Sequence, residues 1–143
     1  MGFLKLIRPV NLAFLALSLL LVHYYLVATL AKSALLSTTQ FFIFLISCLL
    51  MTGGGYIIND YYDIETDKIN KPQRFLTRAR ADQIEKAYYT GISLLLASVI
   101  LGFTLGFFVQ NLSFSFSYVF AAMALLIYSQ KLKRQMLLGN IMV

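Results

Sequence analysis

Acidic side chains are confined to one short part of this 143-residue chain: none precedes Asp60 and none follows Glu85. There is no tryptophan, and there are only two prolines, one histidine and one cysteine. The single thiol, Cys48, excludes an intramolecular disulfide framework; inside an apolar run it reads as a small packed hydrophobe. Charged residues make up 13% of the chain, which excludes an ordinary soluble globule, where the share is about 25%. No Gly-Lys-Ser/Thr follows the glycines at 53–55, which excludes a nucleotide-binding phosphate loop. The net charge of +6 does not point to nucleic acid. Its cations flank apolar runs, where anionic lipid head groups and a phosphorylated ligand account for them better.

What is abundant is hydrocarbon. Apolar residues reach 59% and the mean hydropathy is +0.76. Four stretches, about 11–31, 41–58, 88–109 and 112–129, are long enough to cross ~30 Å of bilayer as helices. The expected fold is all-α: a polytopic membrane helix bundle of four transmembrane helices with one long polar loop at 60–86. Lys5 and Arg8 ahead of the first stretch imitate a secretory signal, but no small-residue cleavage site ends a short core. The stretch is therefore a retained helix, opened by Pro9. His23, beside Tyr24 and Tyr25 within it, reads as a polar group satisfied against a neighbouring helix rather than as a metal or proton site. The glycines at 53–55 allow close backbone approach, whereas Gly102-x-x-x-Gly106 is common in membrane helices and carries little weight.

Eleven of the twelve lysines and arginines fall in the N-terminus, the 60–86 loop and the segment after the fourth span; only Lys32 lies elsewhere. The positive-inside rule places all eleven in the cytoplasm. The expectation is a multi-pass protein of the inner or plasma membrane, with its N-terminus and its acidic segment cytoplasmic.

That acidic segment is Asn59-Asp60-Tyr61-Tyr62-Asp63-Ile64-Glu65-Thr66-Asp67, followed by Lys68, Asn70, Lys71, Pro72 and Arg74. On a helix Asp60, Asp63 and Asp67 share one face, flanked by Asn59. Pro72 stops that helix. Like charges stacked this closely need a cation among them. Hard oxygen ligands suit Mg²⁺, which completes its shell with waters and substrate phosphates. The alternative is a solvated helix end balanced by its own lysines and arginines. A ligand matching such a place has a multiply charged head and a greasy tail, and an isoprenyl diphosphate fits. Lys68, Lys71 and Arg74 would neutralise its diphosphate. Tyr61, Tyr62 or Tyr128 would steady an allylic cation by about 0.5–2 kcal/mol each, though most tyrosines here read as interface-belt residues.

The pattern Asn59-Asp60-x-x-Asp63-x-x-x-Asp67, with Asn70-Lys71-Pro72-x-Arg74 behind it, resembles the first aspartate-rich motif of the UbiA family of intramembrane prenyltransferases. Leu6-Ile7-Arg8-Pro9-x-Asn11 resembles that family's first-helix opening. Tyr128-Ser129 with Leu132-Lys133-Arg134 and Gly139-Asn140 resembles the end of its fourth helix. The resemblance implies an all-helical bundle of about nine spans that transfers a prenyl group to an aromatic or other polar-headed acceptor. The Tyr-Ile-Ile-Asn-Asp-Tyr-Tyr-Asp form resembles branches that make prenylated glycerophosphate lipids as much as quinone branches. It further implies that Asn59, Asp63 and Asp67, with Asp60 beside them, bind Mg²⁺–diphosphate. Arg8, Lys68, Arg74 and Lys133 are its implied diphosphate contacts, and Asp63 and Asp67 the catalytic carboxylates. Two departures stand out. Phe75 and Ala79 replace the proline and glycine usual after Lys-Pro-x-Arg, and the family's second aspartate motif has no counterpart after Glu85. Residues 1–143 are thus expected to be the N-terminal half of such an enzyme, needing a C-terminal half. A competing expectation is a non-catalytic membrane protein that binds divalent metal or lipid phosphate, or a degenerate truncated homologue. A CDP-alcohol phosphotransferase ranks low, because its Asp-Gly and Ala-Arg pattern is missing.

Overall fold

The computed structural model describes residues 3–27, 29 and 36–130, and among these every regular element is a helix. A short 3-10 turn, Phe3–Ile7, leads into α1, Pro9–Leu21, which continues as a wider π-helical stretch, Val22–Val27. α2 spans Thr38–Tyr62, α3 spans Ile64–Asn70, and a 3-10 turn at Leu76–Arg78 precedes α4, Ala81–Phe108. α5 spans Leu112–Gln130. Four of these segments, Leu4–Val27, Thr38–Tyr62, Ala81–Phe108 and Leu112–Gln130, are long and apolar enough to cross a membrane.

Two helix starts lie earlier than hydrophobicity alone indicates, and local polar chemistry explains each. α2 opens at Thr38 because Ser37 and Gln40 form a reciprocal capping box: the Gln40 N–H donates to Ser37 Oγ at 3.3 Å, and the Ser37 N–H donates to Gln40 Oε1 at 2.8 Å. α4 opens at Ala81, seven residues before its apolar run, because Asp82 in its first turn complements the helix dipole. At the other end, Gln110 takes a left-handed conformation (φ 55°). Its N–H donates to the Phe107 carbonyl at 3.2 Å and that of Asn111 to Gly106 at 2.9 Å, closing α4 as a Schellman turn. The Asn111 side chain then accepts from the Phe114 N–H at 3.2 Å, capping α5.

α2 is the central helix, packed along α4 and touching α1 and α5. A Cβ on Gly54 would sit 2.9 Å from the Gly91 carbonyl of α4, so the two backbones meet directly there. Gly102 and Gly106, given little weight from sequence, form the α4–α5 seam. A Cβ on Gly102 would enter the Tyr118 ring, and one on Gly106 would meet Ser115 Oγ. Tyr118 is further tied to α2 by a 2.7 Å hydrogen bond with Ser47 Oγ, and the Ser98 hydroxyl donates to the Ser47 carbonyl at 2.8 Å. Met51, Ile58, Leu95, Tyr118 and Ala122 form the core within the spans. A second cluster, Leu6, Ile57, Leu76 and Ala87, clamps the lead-in and the polar loop onto the helix ends. No residue of α1 itself is buried, and Phe14, Ile100, Phe107 and Phe120 turn outward, as lipid-facing side chains do. His23 is buried, stacked 4.0 Å from the Phe41 ring.

Candidate functional site

The site is built where α2 runs out of the apolar layer. Asn59 and Asp60 close α2, Asp63 is the junction, and Asp67 lies on α3. Helical hydrogen bonding persists across the junction: the Asp63 N–H donates to Asn59 O at 3.1 Å and the Asp67 N–H to Asp63 O at 2.7 Å. All four motif residues therefore keep helical register. Lys71, directly before Pro72, leaves it (φ −142°, ψ 61°), so the proline ends the helix as its chemistry requires.

The four side chains sort into two pairs. Asn59 Nδ2 donates to Asp63 Oδ2 at 3.0 Å. Asp60 and Asp67 are buried and joined by Arg74, whose Nη1 lies 3.0 Å from Asp60 Oδ1 and 2.6 Å from Asp67 Oδ2. Arg8 reaches across from the lead-in and donates from Nη2 to the same Asp60 Oδ1 at 2.7 Å. Its guanidinium also lies 4.5 Å from the Tyr56 ring centroid. Arg8 is held in the left-handed region at φ 50°, a conformation costing about 1–2 kcal/mol for a residue with a Cβ, and these two contacts offset it.

The other cations go elsewhere. Lys68 pairs with Glu65 at 2.7 Å with both side chains largely in solvent, as the solvated-helix-end reading expects; Asp60 and Asp67 are balanced by Arg74 as that reading also expects, but are buried rather than solvated. Lys71 is exposed and joins no carboxylate among the described residues. Lys133, with Leu132, Arg134, Gly139 and Asn140, lies outside the described residues. Tyr61 packs on Tyr62 and Tyr88, with ring centroids 5.1 and 4.8 Å apart. Of the three candidate cation-stabilising rings, Tyr128 lines a cavity beside the motif.

Arg8 stands between two spaces. One, of about 320 Å³, lies between the helices and is lined by Arg8, Thr52, Tyr56, Asn59, Tyr128 and Ser129. The other, of about 510 Å³, lies on the loop side, where Asp60, Asp67 and Arg74 meet Lys5 and Arg78. Lys5 and Arg78 did not stand out from sequence; the signal was their spacing, three before Arg8 and four after Arg74. Thr52 also borders an apolar cavity of about 320 Å³. That cavity shares Leu19, Phe44 and Phe114 with a further one of about 300 Å³ beside His23. Apolar space thus follows α1, α2 and α5 from the polar end toward the opposite end of the bundle.

Among the described residues no three acidic, histidine or cysteine side chains converge on one point. Mg²⁺ does not need such a cage, since one or two carboxylates with substrate phosphates and water complete its shell. The hydrogen-bonded Asn59–Asp63 pair, with Asp67 a turn further on, fits that partial shell.

The family model described as the UbiA prenyltransferase family matches residues 10–143. The chain belongs to that family. It is 34% identical over 142 residues to a digeranylgeranylglyceryl phosphate synthase of Hyperthermus butylicus, covering 99% of this chain and 45% of that protein. It is 36% identical over 142 residues to the protein of the same name from Sulfolobus acidocaldarius, covering 99% and 47%. With the one from Sulfurisphaera tokodaii it shares 38% over 94 residues, covering 66% and 32%. The chain spans about half the length, or less, of these relatives. No solved structure matches it. The expected UbiA membership and the four apolar helices thus both stand, and the motif runs from the end of the central helix α2 through Asp63 into α3.

Proposed function

We propose that the chain is the diphosphate-binding half of a UbiA-type prenyltransferase that moves a prenyl group from an isoprenyl diphosphate to a glycerophosphate-type acceptor. The observation that carries this reading is Asn59 and Arg8 on the wall of a cavity that borders, across Thr52, the apolar space along α1, α2 and α5. A charged head and a long hydrocarbon tail need that sequence of surroundings. The names of the relatives favour a glycerophosphate acceptor over an aromatic one. The eleven clustered cations favour the N-terminus and the motif lying in the cytoplasm.

In this reading Asn59, Asp63 and Asp67 hold Mg²⁺, which when bound neutralises charge on the leaving diphosphate. Arg8 lines the cavity with its charge paired to Asp60, and donates a remaining N–H to the diphosphate. Arg74 holds Asp67 and Asp60 in place, and Tyr128 lies where an allylic cation would form. The allylic carbon–oxygen bond breaks with its electron pair leaving on diphosphate, and an acceptor hydroxyl bonds to that carbon and releases its proton. The remaining half of the site is assigned to a C-terminal half like that of the relatives.

The test supplies the chain with that half and measures Mg²⁺-dependent prenyl transfer in membranes. Asp63→Asn is expected to lower turnover at least about 100-fold, the scale of an electrostatic catalytic group, with membrane insertion unchanged. Full turnover in both Asp63→Asn and Asp67→Asn would sink the catalytic reading and leave a non-catalytic phosphate- or metal-binding protein.

A further inference from the structure

We propose that the 510 Å³ cleft on the loop side of Arg74 is a second phosphate site, one that takes the phosphate monoester head of the acceptor lipid. The inference rests on the donor reading above, which places the diphosphate on the other side of Arg8. Charge carries the argument. Four cations line the cleft, Lys5, Arg8, Arg74 and Arg78, against two carboxylates, Asp60 and Asp67. Arg8 and Arg74 are spent on those carboxylates. Among the described residues Lys5 and Arg78 have no carboxylate within ion-pair distance. Two unspent positive charges match a phosphate monoester, which carries about −1.5 to −2 near neutral pH.

The loop is also pre-shaped for this task. Arg78 Nε donates to the Pro72 carbonyl at 2.8 Å, which leaves its two terminal nitrogens for a ligand. Thr77 Oγ1 lies 2.7 Å from the Arg74 carbonyl oxygen and 2.9 Å from that of Pro72, fixing the turn between the two arginines. Donor diphosphate is a poorer occupant, because Asn59 and Asp63 do not line this cleft and Asp67, the one proposed metal ligand that does, is engaged by Arg74. Arg8 would then be the wall shared by the two phosphate-bearing substrates, contacting both cavities from one strained position.

The experiment titrates glycerol phosphate, and separately geranyl diphosphate with Mg²⁺, into the 143-residue chain in phosphatidylcholine nanodiscs. Arg78→Gln and Lys5→Gln are each expected to weaken glycerol phosphate binding about tenfold, the scale of one charge-assisted hydrogen bond. Geranyl diphosphate binding should stay within about twofold. The Lys5 side chain makes no hydrogen bond within the described residues, so its variant stands even if Arg78→Gln disturbs the loop. Unchanged glycerol phosphate affinity in both variants overturns the proposal, and so does an equal loss for both ligands, which means one shared site. Binding of glycerol phosphate that disappears in phosphatidylglycerol nanodiscs assigns the cleft to a bilayer head group and overturns the acceptor assignment; equal binding in both bilayers supports it. The donor reading has its own readout: Asp63→Asn should weaken geranyl diphosphate binding and leave glycerol phosphate binding intact. Geranyl diphosphate binding indifferent to Mg²⁺ and to Asp63→Asn fails the donor reading alone, while the Lys5 and Arg78 variants still decide whether the cleft binds phosphate.

Discussion

Replacing Arg74 by methionine tests whether the buried ion cluster organises the polar end of this protein. The guanidinium is 28% exposed and spans two carboxylates that are 11% and 9% exposed. Removing one partner of a buried ion pair costs about 3–5 kcal/mol, because the other charge is left uncompensated. Here Arg8 stays on Asp60, so only Asp67 loses all its ion-pair partners among the described residues, and the arginine's partial exposure lowers the figure further. The expected loss for Arg74→Met is therefore about 2–3 kcal/mol. In a chain of this size that lowers the melting temperature by roughly 5–10 °C. Helical circular dichroism in detergent reads it, and is suited to a chain without tryptophan. Asp67→Asn in the Arg74→Met background removes the stranded charge and should recover about 1.5 kcal/mol or more as coupling in a double-mutant cycle. A single variant within 0.5 kcal/mol of wild type, or a double variant no more stable than Arg74→Met, would refute the claim that these charges hold one another.

Three further outcomes follow from the packing and the charge distribution. Gly102→Ala places a methyl group inside the Tyr118 ring and should cost about 1–3 kcal/mol by the same thermal measurement; an unchanged melting temperature would mean that α4 and α5 do not meet there. Tyr118→Phe keeps that packing and loses the bond to Ser47, so a loss of about 0.6 kcal/mol is expected, the average for interhelical hydrogen bonds in membranes. Arg80→Cys in a Cys48→Ser background should react with a membrane-impermeant thiol reagent only from the cytoplasmic side. Labelling from the outside would invert the topology.

Much of this protein is legible in its sequence because a bilayer imposes a simple rule. Backbone polar groups have no water to turn to inside hydrocarbon, so long apolar runs form helices, and all four were located this way. The motif's helical register and its termination at Pro72 also follow from residue spacing, and the family from the motif's resemblance to a known pattern. The starts of α2 and α4 did not, because caps and first-turn charges extend helices into segments that hydropathy scores as loop. The weight of Gly102 and Gly106 was hidden for a related reason: small-residue spacing is common in membrane helices, and only the facing Tyr118 and Ser115 make it a seam.

The partners of the carboxylates were beyond the sequence altogether. Spacing places Asp60, Asp63 and Asp67 on one face but is silent about which cations reach them. Lys68, closest along the chain, turns to Glu65, while Arg8, 52 residues away, closes on Asp60. Helical geometry fixes which residues share a face within one element. Which charges meet across elements depends on how Leu6, Ile57, Leu76 and Ala87 pack the lead-in and the loop against the helix ends, and that is a property of the folded chain. Sequence determined the helices, their membrane setting and the family; tertiary packing decided that Asn59 pairs with Asp63 while Asp60 and Asp67 share Arg74, and that Arg8 stands between two cavities.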